Sequence, residues 1–329
     1  MNTGLFDILL ADLPFVIADA VFTNPKYRGY RLPPLADTDM TQRQDMCVRH
    51  GIRIHDARSK VPSASLGLEG FQILDSPVHI DFSDRKLMTQ GFYEHCAELV
   101  RDTTQCLLTL TMQHEFRTGF AGTESYARTV HADLCPYIED LIQTQGSRHF
   151  AIFNVWRGTE PQQMIKDIPL ALCDRRTVDT KDIVYADAWR RTNPRTRLVD
   201  CRLIHNEAQK WYYFPDLNPD EVLIFKQYDT REKNPALRTC FHTAFINPGT
   251  PGAAPRRRRS VEARVLAIFP EQESERNARV SEFKNQVPKF RLDGSISDWC
   301  HEVMQDWHVL EKESGKEKVM EIEPSSAYQ

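Results

Sequence analysis

The sequence predicts a mainly β fold with flanking helices, a jelly roll of the cupin-like, double-stranded β-helix kind. Three observations point there. Between Ile52 and Phe269 the chain breaks into many short segments rich in β-branched and aromatic residues, separated by Pro, Gly, Asn and Asp. Segments with helical spacing lie mostly outside them. The residues with the most evident chemistry divide between an early strand around His131 and Asp133, a late one around His242, and an arginine-bearing strand that starts at Arg258, sixteen residues past His242. A double-stranded β-helix brings both ends of such a run to one mouth.

Taken in order, residues 1–45 are rich in Pro, Asp and Arg, and Leu32-Pro33-Pro34-Leu35 reads as part of an extended surface arm. Ile52–Asp56 and Phe71–Asp75 read as short strands. Phe92, Cys96, Leu99 and Val100 fall at helical spacing, an amphipathic helix packed on a sheet. Cys106–Met112 is a buried strand, residues 118–125 a polar loop, and His131 sits on a short strand. Pro136–Gln145 reads as a helix, then Phe150–Arg157 and Pro169–Asp174 as strands. Trp211–Phe214 and Val222–Tyr228 are further strands, joined by a turn of Pro, Asp and Asn at 215–220. His242 lies on the next strand, residues 247–255 form a Pro/Gly loop, and 260–269 is the last strand. Residues 274–286 and 297–311 read as helices, the second with Trp299, Val303 and Trp307 on one stripe, a candidate homodimer surface. The expectation is a single domain over 1–312, with an arm at 1–51, a β core with helices at 52–270, C-terminal helices at 271–312 and a polar tail at 313–329.

Composition excludes several classes. Of 329 residues, 41% are hydrophobic and 27% charged, as in a globular chain. Lys plus Arg is 42 against 46 Asp plus Glu, a net charge of −4, with none of the basic surplus of a nucleic-acid binder. No apolar run reaches the ~18 residues of a membrane span. The first residues lack the pattern of a secretory leader. Eight cysteines occur without a C-x-x-C pair, which fits reduced thiols in a cytoplasmic protein.

The chemistry centres on His131-x-Asp133. In a strand, residues i and i+2 share a face, so both side chains project together while Val130 and Ala132 face away. With a distant His242 they make up a 2-His-1-carboxylate set, the ligand pattern of non-haem Fe(II) oxygenases. In the last strand, Val261, Ala263, Val265 and Ala267 line one face; Arg258, Ser260, Glu262 and Arg264 line the other, which turns apolar at Leu266 and Ile268. That profile suits a strand whose polar end borders a cavity. A non-catalytic β-sandwich that binds a small molecule, or a cupin-like iron enzyme of other chemistry, fits the same residues.

Seven stretches occur in an order that resembles one family: His131-x-Asp133, Asn154–Arg157, Pro169–Asp174, Trp211–Phe214, Phe225–Asp229, His242–Phe245 and Arg259–Arg264. They resemble the largely fungal hydroxylase/desaturase group, related to gibberellin-type desaturases and the cephem methoxylase subunit, over roughly residues 52–270. The resemblance implies an oxygenase of natural-product biosynthesis that uses Fe(II), 2-oxoglutarate and O₂. Its substrate would be a small natural product or amino acid, and its outcome hydroxylation, desaturation or oxidative cyclisation such as aziridine formation. It makes His131, Asp133 and His242 the iron ligands. It offers Arg258 with Ser260 for the distal carboxylate of 2-oxoglutarate, where a planar, two-pronged guanidinium suits the anion. Arg264 and Tyr212 are further co-substrate candidates, and Arg157 is a candidate for a substrate carboxylate. One departure stands out: where the family pattern has a His before the Trp-Tyr-Tyr-Phe run this chain has Lys210, which leaves His205 as a competing ligand.

Overall fold

The computed structural model describes residues 15–33, 40–82, 84, 87–117, 126–134, 136, 138–143, 149–189, 197–250, 258–270 and 289–290. The expected C-terminal helices, with Trp299, Val303 and Trp307, and the tail at 313–329 lie outside them. The strands are β1 (Phe15–Thr23), β2 (Arg31–Leu32), β3 (Cys47–Asp56), β4 (Phe71–Asp75), β5 (Leu108–Arg117), β6 (His131–Ala132), β7 (Ile142–Gln143) and β8 (Phe150–Gly158). After these come β9 (Leu170–Cys173), β10 (Ile183–Trp189), β11 (Arg197–Leu203), β12 (Trp211–Tyr213), β13 (Glu221–Asp229), β14 (His242–Ala244), β15 (Ser260–Ile268) and β16 (Lys289–Phe290). Helices α1 (Met40–Met46), α2 (Ala57–Lys60), α3 (Tyr93–Thr104) and α4 (Ile138–Leu141) lie between strands.

Two sheets carry the fold. The larger has nine strands in the order β1-β3-β12-β9-β14-β6-β11-β10-β2, and the smaller has five in the order β4-β13-β8-β15-β5. The crossovers in both orders are those of a jelly roll. The large sheet curls, since its first strand returns to bridge Thr129 and Ile204. Inside the curl pack Ala18, Phe22, Ile54, Val130, Ala132 and Trp211. Between the sheets lies a second core of Phe71, Trp156, Leu172, Tyr212, Leu223 and Phe225. Each buried side chain of this size contributes roughly 1.5–3 kcal/mol, so packing fixes how β6 and β14 stand against β15.

The outer face of the small sheet is covered by α3, through Phe92, Cys96 and Val100, against Val155, Val261, Ala263 and Val265. The alternation expected for the last strand therefore holds in the fold. β8 alternates likewise: Ile152 and Trp156 point inward, while Phe153 and Val155 point to the helix. Arg157 follows the outward set. Its guanidinium donates to Ser76 O at 3.0 Å and to Pro219 O, and it is buried beside α3. The structure thus places this candidate substrate contact on the wrong side of the sheet, where it ties loops together. Arg157→Met should lower unfolding free energy by roughly 2–4 kcal/mol, from two lost charge-assisted bonds. A urea titration measures this, and the affinity for 2-oxoglutarate should stay unchanged.

Three elements differ from the sequence reading. Residues 15–23 are no surface arm but a strand paired with β3 along its whole length. The expected helix over 136–145 shrinks to α4 and gives way to β7, which pairs with β16. β10 was not anticipated; its run Ile-Val-Tyr-Ala-Asp-Ala-Trp pairs in full with β11.

Candidate metal centre

β6 is only two residues long, yet it is held on both sides. His131 pairs with His242 of β14 on one edge and with Arg202 of β11 on the other. Directly opposed residues of neighbouring strands share a face. The two imidazoles therefore stand side by side, ring centres 4.4 Å apart, on the face turned to the small sheet. Asp133 follows at once, with Oδ1 3.5 Å from His131 Nε2. The donor atoms of His131, Asp133 and His242 all lie within 4.8 Å of one another, the one such group of three or more among the described residues.

The protonation pattern suits a cation. His131 Nδ1 lies 2.8 Å from Thr129 O and His242 Nδ1 lies 3.2 Å from Cys240 O. A carbonyl only accepts, so each Nδ1 carries a proton and Nε2 is the ring nitrogen left to face the group. Backbone carbonyls of this kind orient the metal-binding imidazoles of known sites. Burial and the adjacent His131 push the His242 pKa down to about 3, so this ring is neutral. Burial alone would raise Asp133, but the Arg264 guanidinium beside it outweighs this and holds the carboxyl well below the usual range. Two imidazole nitrogens and one anionic carboxylate oxygen are the donor set of Fe(II) or another divalent transition metal.

Next to the group a cleft opens, bordered by Trp156, Leu170, Ala244, Arg117, Arg258 and Glu262. Arg258 is 3% exposed and lies over the rings of Tyr126 and Trp156, at 4.5 and 5.3 Å. Its Nη1 donates to Ile168 O at 2.5 Å. Its Nε has no hydrogen-bond partner among the described residues, and neither does Ser260 Oγ, which is fully buried. Burial lowers the Arg258 pKa to about 9. A guanidinium and a hydroxyl with donors to spare are groups that a carboxylate can engage. Glu262, also on the cleft, is pushed up to about 7 by burial and by Asp133.

The other candidates fall elsewhere. Arg264 donates to Asp133 Oδ2 at 2.9 Å and lies 3.7 Å from Glu262, so it is committed to carboxylates of the chain itself. Tyr212 packs between the sheets against Phe71 and His55 and is not among the residues bordering the cleft. His205 stacks on His50 at 4.2 Å, inside the neighbourhood of Phe22, so Lys210 leaves no gap in the triad. His205→Ala should leave Fe(II) affinity unchanged, which a competition titration against a chromophoric chelator measures. Lys226, on β13 between β4 and β8, is buried in an ion pair with Asp229 at 2.7 Å.

Sequence reasoning missed Asn154, Gln227 and Trp156. Asn154 Nδ2 donates to Asp133 Oδ2 at 3.3 Å, and the Asp133 N–H donates to Gln227 Oε1 at 3.0 Å. A register shift between Lys226 and Tyr228 marks a bulge at Gln227. Bulges re-aim a side chain, and no pattern of alternation foretells that. The available signals were that both residues lie inside polar interruptions of otherwise apolar strands and within stretches that carry the family resemblance.

Residues 22–268 match a family profile described as an oxidoreductase/YMDC permease-like domain. No helix among the described residues is long and apolar enough to cross a membrane. The chain is 30% identical over 268 residues to the hydroxylase/desaturase efuI of Hormonema carpetanum, covering 68% of this chain and 84% of that one. It is 31% identical over 280 residues to the Fe(II)/2-oxoglutarate-dependent dioxygenase nvfI of Aspergillus novofumigatus, covering 78% and 96%. Among solved structures, the iron and alpha-ketoglutarate-dependent endoperoxidase NvfI superposes with a TM-score of 0.62 at 25% identity, over 78% of this chain and 99% of that one.

Proposed function

Since the chain belongs to this oxidoreductase family of fungal hydroxylase/desaturases and 2-oxoglutarate dioxygenases, we propose that His131, Asp133 and His242 hold its iron and that Arg258 with Ser260 holds its co-substrate. The protein is a non-haem Fe(II)/2-oxoglutarate-dependent dioxygenase of natural-product chemistry. The observation that carries the residue assignment is the three-donor group and the buried Arg258 on one cleft, with Arg258 Nε, and Ser260 Oγ two residues on, without a hydrogen-bond partner among the described residues.

Each residue has a definable task. His131 and His242 present Nε2 because their Nδ1 protons are held by carbonyls. Asp133 supplies the single negative charge. Arg258 offers its Nε edge to the distal carboxylate of 2-oxoglutarate, with Ser260 donating beside it. In low-dielectric surroundings such a contact is stronger than in water. Trp156, Leu170 and Ala244 keep water from the cleft. Bound there, Fe(II) with 2-oxoglutarate and O₂ supplies oxidation of an unactivated C–H bond, with succinate and CO₂ released. Placement of the substrate then decides between hydroxylation, desaturation and cyclisation such as aziridine formation. Fe(II)-dependent conversion of 2-oxoglutarate to succinate tests the assignment: it should stop with a chelator and return with Fe(II).

An iron enzyme without 2-oxoglutarate, or a passive binding sandwich, leaves Arg258 buried with no carboxylate partner among the described residues. The substrate is a small molecule, a natural product or amino acid. The cytoplasmic placement is part of the proposal and rests on the six cysteines among the described residues, which are free thiols. A homodimer through the segment 271–312 is likewise proposed, on the stripe of Trp299, Val303 and Trp307.

A further inference from the structure

Asp133 stands one residue beyond β6, so no sheet ladder fixes its backbone. Its position comes from three strands of the opposite sheet instead. Gln227, at the β13 bulge, receives the Asp133 N–H. Asn154 of β8 and Arg264 of β15 both donate to Oδ2, at 3.3 and 2.9 Å, and these two residues are themselves directly paired across the small sheet. Oδ1 receives neither bond and lies on the imidazole side, 3.5 Å from His131 Nε2.

We propose that Arg264 and Asn154 are positioning residues that clamp one oxygen of Asp133, so that the carboxylate meets the metal through the other oxygen alone. This rests on the reading of Asp133 as an iron ligand. The consequence is one of counting. An octahedral ion with three protein donors keeps three adjacent positions, two for a chelating 2-oxoacid and one for O₂. An aspartate that chelated through both oxygens would occupy one of the three. Rotation about the Cβ–Cγ bond is soft, so an unclamped carboxylate samples both modes. Arg264 is suited to the task because its charge stays at any working pH and its planar fork fixes direction. Its surroundings exclude the co-substrate role: the Asp133 carboxylate lies at 2.9 Å, Glu262 at 3.7 Å, and Glu115 is a third acidic group nearby. A dianion would be repelled there.

The test compares wild type with Arg264→Lys, Arg264→Met and Asn154→Leu, all in the full chain under argon. Fe(II) affinity is measured by competition with a chromophoric chelator. The visible charge-transfer band of chelated 2-oxoglutarate is then read at saturating Fe(II), and a thermal melt checks folding. Loss of partners that orient metal ligands typically lowers metal affinity ~10–100-fold, and Arg264→Met is expected in that range. Its band at saturating Fe(II) should weaken. Arg264→Lys should recover part of both, because it keeps one donor and the charge. Asn154→Leu, which removes no charge, should move both readouts in the same direction by less, and serves if Arg264→Met does not fold. Wild-type Fe(II) affinity and band in Arg264→Met or in Asn154→Leu overturns the proposal and leaves the triad standing. Normal Fe(II) affinity in Arg264→Met with loss of the band only at low 2-oxoglutarate overturns it too, by placing Arg264 on the co-substrate. A wild type that binds no Fe(II) overturns the iron reading and this inference together.

Discussion

His242→Ala should abolish turnover and reduce Fe(II) affinity by more than ~100-fold, beyond the range that loss of an orienting partner alone produces. The expectation follows from where the ring sits. His242 is buried, opposes His131 directly across the β6–β14 pair, and is wedged by Phe225 at 4.8 Å. No other imidazole or carboxylate joins this group among the described residues, so nothing replaces the lost donor. The substitution leaves a small cavity but strands no charge, since burial keeps the ring neutral. Folding should therefore survive. Inductively coupled plasma analysis for bound iron, beside a circular-dichroism melt, separates metal loss from misfolding.

The second large effect is at Arg258. Removing one partner of a buried, hydrogen-bonded charge pair costs about 2–5 kcal/mol, which corresponds to a roughly 30- to several-thousand-fold higher Kd for 2-oxoglutarate. Arg258→Met should show that rise with Fe(II) affinity little changed, because the guanidinium touches none of the three donors. Arg258→Lys should recover little, since an ammonium lacks the fork and the flat face that lies over Tyr126 and Trp156. Stability should hold or increase, as the free protein loses a buried cation whose Nε has no partner. Isothermal titration of 2-oxoglutarate into the Fe(II)-loaded protein measures the effect.

These sites were legible to different depths. The His131-x-Asp133 pair and the two-faced strand from Arg258 to Ile268 follow from the period of two, which local sequence displays. Which chain segments oppose which does not. The reading of Arg157 as a site residue failed because one step along β8 flips a side chain from Trp156's face to the helix-covered one. Arg264 shares the right face, but the sequence could not show that Asp133 arrives opposite it. Gln227 reaches Asp133 through a bulge, and Asn154 through a pairing between distant segments. The strand at 15–23 was hidden by the Pro- and Asp-rich residues around it, although Ala18, Ala20 and Phe22 alternate inward as a strand requires. Rivals such as His205 were removed only by the fold, which turns it toward His50.

An anaerobic titration of the protein with Fe(II) and then 2-oxoglutarate, followed in the visible range, tests iron and co-substrate binding at this site together. The expected result is a weak charge-transfer band that saturates at one equivalent of Fe(II), persists in His205→Ala and is absent from His242→Ala and Asp133→Ala. A protein that binds Fe(II) yet shows no band with 2-oxoglutarate, or a band that persists in His242→Ala, would contradict it.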